Sequence, residues 1–219
     1  MAKQWTAIVL AAGRGPNDPM AKAYCVSHKC ALPVNGVPML QRVVDALRQS
    51  RSVAAISISI EDPAIVLAAL AKQDPGISIM ASERSAPLSA IVAIRKHATY
   101  PVLLTTADHA LLTPGMIDYF CGEAGRNGAD FSAGLARAET VLAAYPQSVR
   151  TFFRLGRDRV SGCNLFAIGN ENGLRILEKW QYLEQSRKKP WRLVAAFGWL
   201  ALIRFALGLL SLDGAFRIV

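Results

Sequence analysis

A buried strand that runs straight into glycine and then into basic residues is a way to hold phosphate. Residues 6–12 read TAIVLAA, and Gly13, Arg14, Gly15 and Pro16 follow at once, with Lys22 and Lys29 further along. Glycine lets backbone N–H groups approach phosphate oxygens closely. Arg14, Lys22 and Lys29 supply the positive charge that a triphosphate needs. Ala11, Ala12, Gly13, Arg14, Gly15, Lys22 and Lys29 are therefore candidate nucleotide contacts. The spacing excludes two familiar phosphate loops. A dinucleotide GxGxxG would need glycine where Asp18 stands, and a P-loop would need GxxxxGK followed by Ser or Thr. A tight turn with solvated basic side chains would account for the glycines as well, but not for the length of the segment before Lys29.

A second candidate is Asp108, which follows the apolar run VLLTT (residues 102–106) and Ala107. A strand that ends on a carboxylate presents an oxygen ligand at the edge where α/β sheets bind ligands, and Mg²⁺ bridging two phosphates takes such ligands. Asp108 could instead cap the turn that follows it. His109 has no second His or Cys at metal spacing and reads as a structural hydrogen-bonder. Ser82, Ser85 and Ser89 lie in a segment joining a strand to a helix at the same presumed edge. Their hydroxyls could read a base or ribose, although Ser85 alone could serve as an ordinary helix cap. Asn164, in Ser-Gly-Cys-Asn, is a candidate contact for a second substrate or another turn cap. Cys163 has no histidine nearby in sequence to activate it.

The elements that position these residues alternate. Strand-like runs at residues 6–12, 53–60, 77–80, 102–106 and 130–135 are separated by helical patterns at 39–48, 63–72, 86–97 and 114–124. Alternation of this kind predicts right-handed βαβ units and a mostly parallel sheet. After residue 136 the pattern changes. Residues 151–155 and 164–168 flank Gly-Arg-Asp-Arg and predict a small antiparallel hairpin, followed by a helix over 171–185, the basic break RKKP at 187–190 and an apolar tail. The reading is a single domain over residues 1–219, with a nucleotide-binding half at 1–136 and an acceptor-side elaboration at 137–219.

Composition sets outer limits. Hydrophobic residues at 52% and charged residues at 19% specify a globular chain and exclude a disordered one. A formal net charge of +9 favours anionic partners. The basic residues are scattered and are not interleaved with aromatics, so nucleic acid is not expected as a partner. The four cysteines form no CxxC pair, which points away from a zinc site or disulfide framework and toward the reducing cytoplasm. The apolar run near the N-terminus is too short for a signal peptide and leads into Gly-Arg-Gly. Residues 193–212 are apolar, but Arg204 interrupts them, which favours a packed or interfacial helix over a membrane span.

Taken in order, IVLAAGRG (residues 8–15), KCALPVNGVPML (29–40) and LLTTADHALLTP (103–114) resemble the MobA-like nucleotidyltransferases, which include molybdenum-cofactor guanylyltransferase and several cytidylyltransferases. SGCNLFAI (161–168) is similar, less specifically, to the family's acceptor-side strand. The resemblance implies a Rossmann-like three-layer α/β/α sandwich. It implies transfer of a nucleoside monophosphate from a nucleoside triphosphate, CTP or GTP, to a phosphorylated small-molecule acceptor, releasing pyrophosphate. Gly13, Arg14 and Lys29 would match the signature loop, Asp108 the Mg²⁺-binding aspartate, and the segment from Ser82 to Ser89 the base-recognition region.

Two departures accompany it. The stretch from Pro16 to His28 is longer than the spacer of many members, and no Asp-x-x-x-Pro-x-Asp-Leu segment precedes Val219, since Asp213 stands in Leu-Asp-Gly. These leave room for a nucleotide-binding relative that turns over poorly. The tail, with Trp191, Arg192 and Trp199, leaves room for contact with a membrane surface, a packed helix being the simpler account.

Overall fold

The computed structural model describes residues 5–13, 18–71, 75–97, 99–155 and 158–186. Its strands are β1 (Trp5–Leu10), β2 (Pro33–Val34), β3 (Val37–Pro38), β4 (Val53–Ile60), β5 (Ile77–Ala81), β6 (Val102–Thr106), β7 (Phe131–Arg137), β8 (Phe153–Leu155) and β9 (Asp158–Ile168). Its helices are α1 (Pro19–Ala23), α2 (Met39–Gln49), α3 (Pro63–Ala69), α4 (Ala86–His97), α5 (Pro114–Asn127), α6 (Ala138–Ala144) and α7 (Glu171–Ser186). The seven-stranded sheet has the order β5-β4-β1-β6-β9-β7, with β8 paired to β9. Strands β5, β4, β1 and β6 run parallel, and β9 is antiparallel to β6. The sheet is mostly parallel, as the alternating pattern predicts, and the fold is Rossmann-like α/β, as the resemblance implies.

The chain divides into two compact units, one of residues 1–132 and 164–178, the other of residues 133–163 and 179–219. In the first unit β1 is buried on both faces. Ala7 and Val9 join the core formed with α2, α3 and α5, while Ile8 joins a second core with α4 and α7. Two layers of helix thus cover one sheet. A central parallel strand has no solvent face, so its sequence is continuously apolar. Helix α2 buries Leu40, Val43, Val44 and Leu47, the helical spacing visible in the sequence. Asp62 and Thr113 cap α3 and α5 by accepting from Ala64 and Met116 N–H, and each is followed by proline at the first helical position. Helix α5 runs past the expected end near residue 124 to Asn127, where Gly128 takes a left-handed φ of 61°.

In the second unit, β8 pairs with β9 through Phe153↔Val160, Arg154↔Arg159 and Leu155↔Asp158. The hairpin is present, but its second strand begins at Asp158 rather than at residue 164. Backbone pairing with β8 sustains Asp158–Val160, whereas the polar residues Asp158, Arg159 and Ser161 interrupt the apolar pattern that marks a strand in sequence.

The segment expected as one long loop before Lys29 also holds structure. Asp18 accepts from Met20 and Ala21 N–H and starts α1, so the residue that breaks the dinucleotide pattern is a buried helix cap. Asn35 and Gly36, both at positive φ, turn β2 into β3. Residues 187–219, with the basic break and the apolar tail, lie outside the described residues, as do Arg14, Gly15 and Pro16. Among the described residues no helix is long and apolar enough to cross a membrane.

Candidate functional site

All of the site lies in the first unit, at the carboxyl ends of β4, β1 and β6. Strand β1 sits between the other two. Ala11 extends its ladder by donating to Ser59 O at 2.9 Å, and Ala107 donates to Leu10 O at 2.9 Å. Three chain segments therefore leave the sheet side by side: 11–13 after β1, Glu61 after β4 and Asp108 after β6. Ala11 is buried in the core, and Ala12 is exposed at the edge.

At the end of β6, Lys29 Nζ donates to Asp108 Oδ2 at 2.6 Å, and Thr106 Oγ1 donates to Asp108 Oδ1 at 2.6 Å. Both charged side chains are about one-third exposed, at 33% and 32%. Burial pushes the Asp108 carboxyl up, but the hydrogen bonds from Lys29 and Thr106 and the Lys29 charge outweigh it, leaving the group below its ordinary value. Asp108 is thus an ionised, half-buried carboxylate whose cation is Lys29. The structure brings these two predicted residues together across 79 positions of sequence.

At the end of β4 stands Glu61, which the sequence reading does not include. Gly13 N–H donates to Glu61 Oε1 at 2.9 Å and to Oε2 at 3.3 Å. His28 Nε2 lies 2.8 Å from Glu61 Oε1. The buried His28 Nδ1 has no hydrogen-bond partner among the described residues, so the ring hydrogen belongs on Nε2, facing the carboxylate. Burial raises the Glu61 carboxyl, but its backbone bonds, Gly13 and His28 bring it below its ordinary value. A Cβ on Gly13 would fall 2.9 Å from His28 Cδ2 and 3.0 Å from Glu61 Oε1, so this close approach depends on glycine.

His28 and Lys29 are adjacent, and they hold the carboxylates that end the two strands flanking β1. A 3-10 turn begins at Lys29 and buries Cys30 beneath them. Burial, with the charges of Glu61 and Asp108, pushes the Cys30 thiol up to about 11, so it stays protonated and is not a nucleophile.

The remaining predicted residues are dispersed. Lys22 is exposed on α1. Ser82 follows β5 and donates its N–H to Ile60 O at 3.0 Å, beside the Glu61 end of β4. Ser85 Oγ accepts from Leu88 N–H at 3.4 Å, the geometry of a loose helix cap. Ser89 is buried, and its Oγ accepts from Glu83 N–H at 2.8 Å, tying the loop to α4. Asn164 is exposed, with a left-handed φ of 52°. It lies one residue beyond the last β6–β9 pair, Thr105↔Leu165, and so at the edge from which Asp108 emerges. Glu61 had a legible signal after all: it follows β4 directly, as Asp108 follows β6 after Ala107.

A family model for the MobA-like NTP transferase domain matches residues 7–161. The chain belongs to the MobA-like NTP transferase family. It is accordingly an enzyme of the nucleotidyltransferase class. No match was found among curated proteins. Among solved structures, a hypothetical transferase from Thermus thermophilus is similar at TM-score 0.78 and 25% identity, covering 98% of this chain and 87% of that one. CMP:2-keto-3-deoxy-manno-octonic acid synthetase complexed with CTP follows at TM-score 0.59 and 15% identity, covering 88% and 85%. The 4-diphosphocytidyl-2C-methyl-D-erythritol synthase from Anaerococcus prevotii gives 0.58 and 15%, covering 83% and 76%. The last two share the fold with this MobA-like chain.

Proposed function

We propose that this MobA-like transferase moves a nucleoside monophosphate group from CTP or GTP to a phosphorylated small-molecule acceptor, with release of pyrophosphate. The observation that carries the reading is the Lys29–Asp108 pair at the end of β6, next to the glycine-bearing end of β1. An ammonium for phosphate and a carboxylate for a hard cation stand in contact, at the edge where α/β sheets bind nucleotides.

The donor set fits Mg²⁺. Asp108 is ionised, half-buried and fixed by Thr106, and a metal that brings its own phosphate and water ligands needs only one or two protein carboxylates. When bound, Mg²⁺ would supply charge neutralisation at the phosphate oxygens. Lys29, whose ammonium carries three donors, would reach the phosphate chain while still holding Asp108, and Arg14 would join it there. The acceptor's phosphate oxygen bonds to the α-phosphorus, the bond from that phosphorus to the bridging oxygen breaks, and the bond electrons leave with pyrophosphate. Lys29 and Arg14 stabilise the charge that gathers on it, and no general base is required because the nucleophile is already an anion.

Ser82, beside the ends of β4 and β5, is the loop serine best placed to meet the base or ribose, and Asn164 the acceptor. The free-thiol cysteines suit a cytoplasmic enzyme. The test is pyrophosphate release with each of the four nucleoside triphosphates, Mg²⁺ and a panel of sugar and polyol phosphates. Thermal-shift titrations are run beside it. Stabilisation by one triphosphate with Mg²⁺, weakened in Lys29→Ala and made metal-independent in Asp108→Ala, is the expected pattern. Unaltered responses in both variants would overturn the assignment.

A further inference from the structure

The amide proposed to meet a phosphate is already holding an anion. Gly13 N–H points at the Glu61 carboxylate, with both oxygens in range at 2.9 and 3.3 Å. The contact is built, because His28 Nε2 anchors the same carboxylate oxygen, Oε1, at 2.8 Å, and the carboxylate hangs from the end of β4, a strand parallel to β1. It is also close-packed, because a Cβ at Gly13 would collide with both partners. Carboxylate and phosphate oxygens ask the same thing of an N–H donor, and one N–H cannot satisfy both. Two anions forced into van der Waals range at this strand edge also repel each other.

We propose that Glu61 is a resident anion on the phosphate loop, one that occupies the Gly13 amide in the nucleotide-free enzyme and is displaced by the phosphate chain. This rests on the reading that the Gly13 loop holds the triphosphate. Glu61 then sets affinity for the phosphate chain and not for the nucleoside. It leaves the Gly13 N–H partnered when the site is empty. It opposes both triphosphate and pyrophosphate, so it helps pyrophosphate to leave by retaking the amide. The neighbouring strand end lacks this property, since its carboxylate is met by a lysine and a hydroxyl, which phosphate does not compete with but recruits.

The test is calorimetric titration of wild type, Glu61→Gln and Glu61→Asp with CTP, GTP, inorganic pyrophosphate and the matching nucleosides. Glutamine keeps an oxygen for Gly13 and removes the charge. It should tighten triphosphate and pyrophosphate about tenfold, the repulsion being discounted for the exposure of the group. Nucleoside affinity should stay where it is. Aspartate keeps the charge but draws it back by one methylene, so its gain should be smaller. The melting temperature of ligand-free Glu61→Gln should fall slightly while anion affinity rises, an opposition that a purely structural role would not produce. If Glu61→Gln is poorly folded, Glu61→Asp carries the test. Pyrophosphate bound by wild type and bound equally or more weakly by the folded variants would overturn this proposal and leave the nucleotidyltransfer reading intact. No binding of triphosphate or pyrophosphate by wild type would overturn both.

Discussion

Strands β4 and β6 flank β1, and each ends on a carboxylate, yet the two ends are wired in opposite senses. At β6, Asp108 is gripped by an ammonium and a hydroxyl, groups that phosphate also attracts. At β4, Glu61 is gripped by a backbone amide and an imidazole, and its hold on Gly13 is one that phosphate would have to break. Adjacent residues, His28 and Lys29, serve the two ends. The same chemical group, a carboxylate, at equivalent places in a sheet therefore has different consequences, decided by whether its partners are shared with the ligand or contested by it.

The largest test of the contrast is Asp108→Asn. It keeps the shape and removes the charge, and pyrophosphate release should fall by roughly 100-fold or more, the scale for losing one preorganised charge contact. Retention of activity within threefold would erase the distinction between the ends. Lys29→Met should come next. The stem stays and the ammonium goes, so the KM for the triphosphate should rise about tenfold in steady-state assays. The folded state should lose only about 1 kcal/mol or less in urea denaturation, since the pair is partly exposed.

Gly13→Ala probes the β4 end by crowding. Its new methyl would press on His28 and Glu61, and the melting temperature should drop by about 2–4 °C, the effect of roughly 1 kcal/mol in a chain of this size. In Gly13→Ala/Glu61→Ala, where part of the wall is gone, the drop should be smaller than the sum of the two single variants; full additivity would show that the contact does not matter.

The smallest effect is on pH dependence. Both carboxyls lie below their ordinary values, so the stability they contribute is present above the ordinary carboxyl range and is lost as pH falls through the lowered folded-state values. The gap in urea midpoint between wild type and Asp108→Asn should therefore narrow from pH 7 to pH 3. A gap that widened would contradict the direction assigned to Asp108.

Much of this arrangement is legible along the chain. Residues 6–12 and 102–106 announce central strands because a parallel strand buried on both faces must be apolar throughout. Gly13, Lys29 and Asp108 stand out because glycine, a cation and a strand-terminal carboxylate mark a phosphate edge. The start of β9 at Asp158 was not legible, because Asp158, Arg159 and Ser161 break the apolar pattern, and pairing with β8 holds the first two. The serines were legible only as a group. That Ser89 is buried on Glu83 N–H and Ser85 caps α4 depends on how the loop closes.

The sequence by itself determined the alternation of strands and helices, the family, and which residue types stand at the strand ends. The elements and strand-end residues are local properties, set by burial pattern and turn chemistry within a dozen residues, and the family follows from the order of such segments along the chain. Only the tertiary structure decided who partners whom. Glu61 is 48 residues from Gly13 and 33 from His28, and Lys29 is 79 from Asp108. Such contacts arise because β4, β1 and β6 lie in one sheet and carry their ends to one edge, and strand order is a property of the whole chain packing at once.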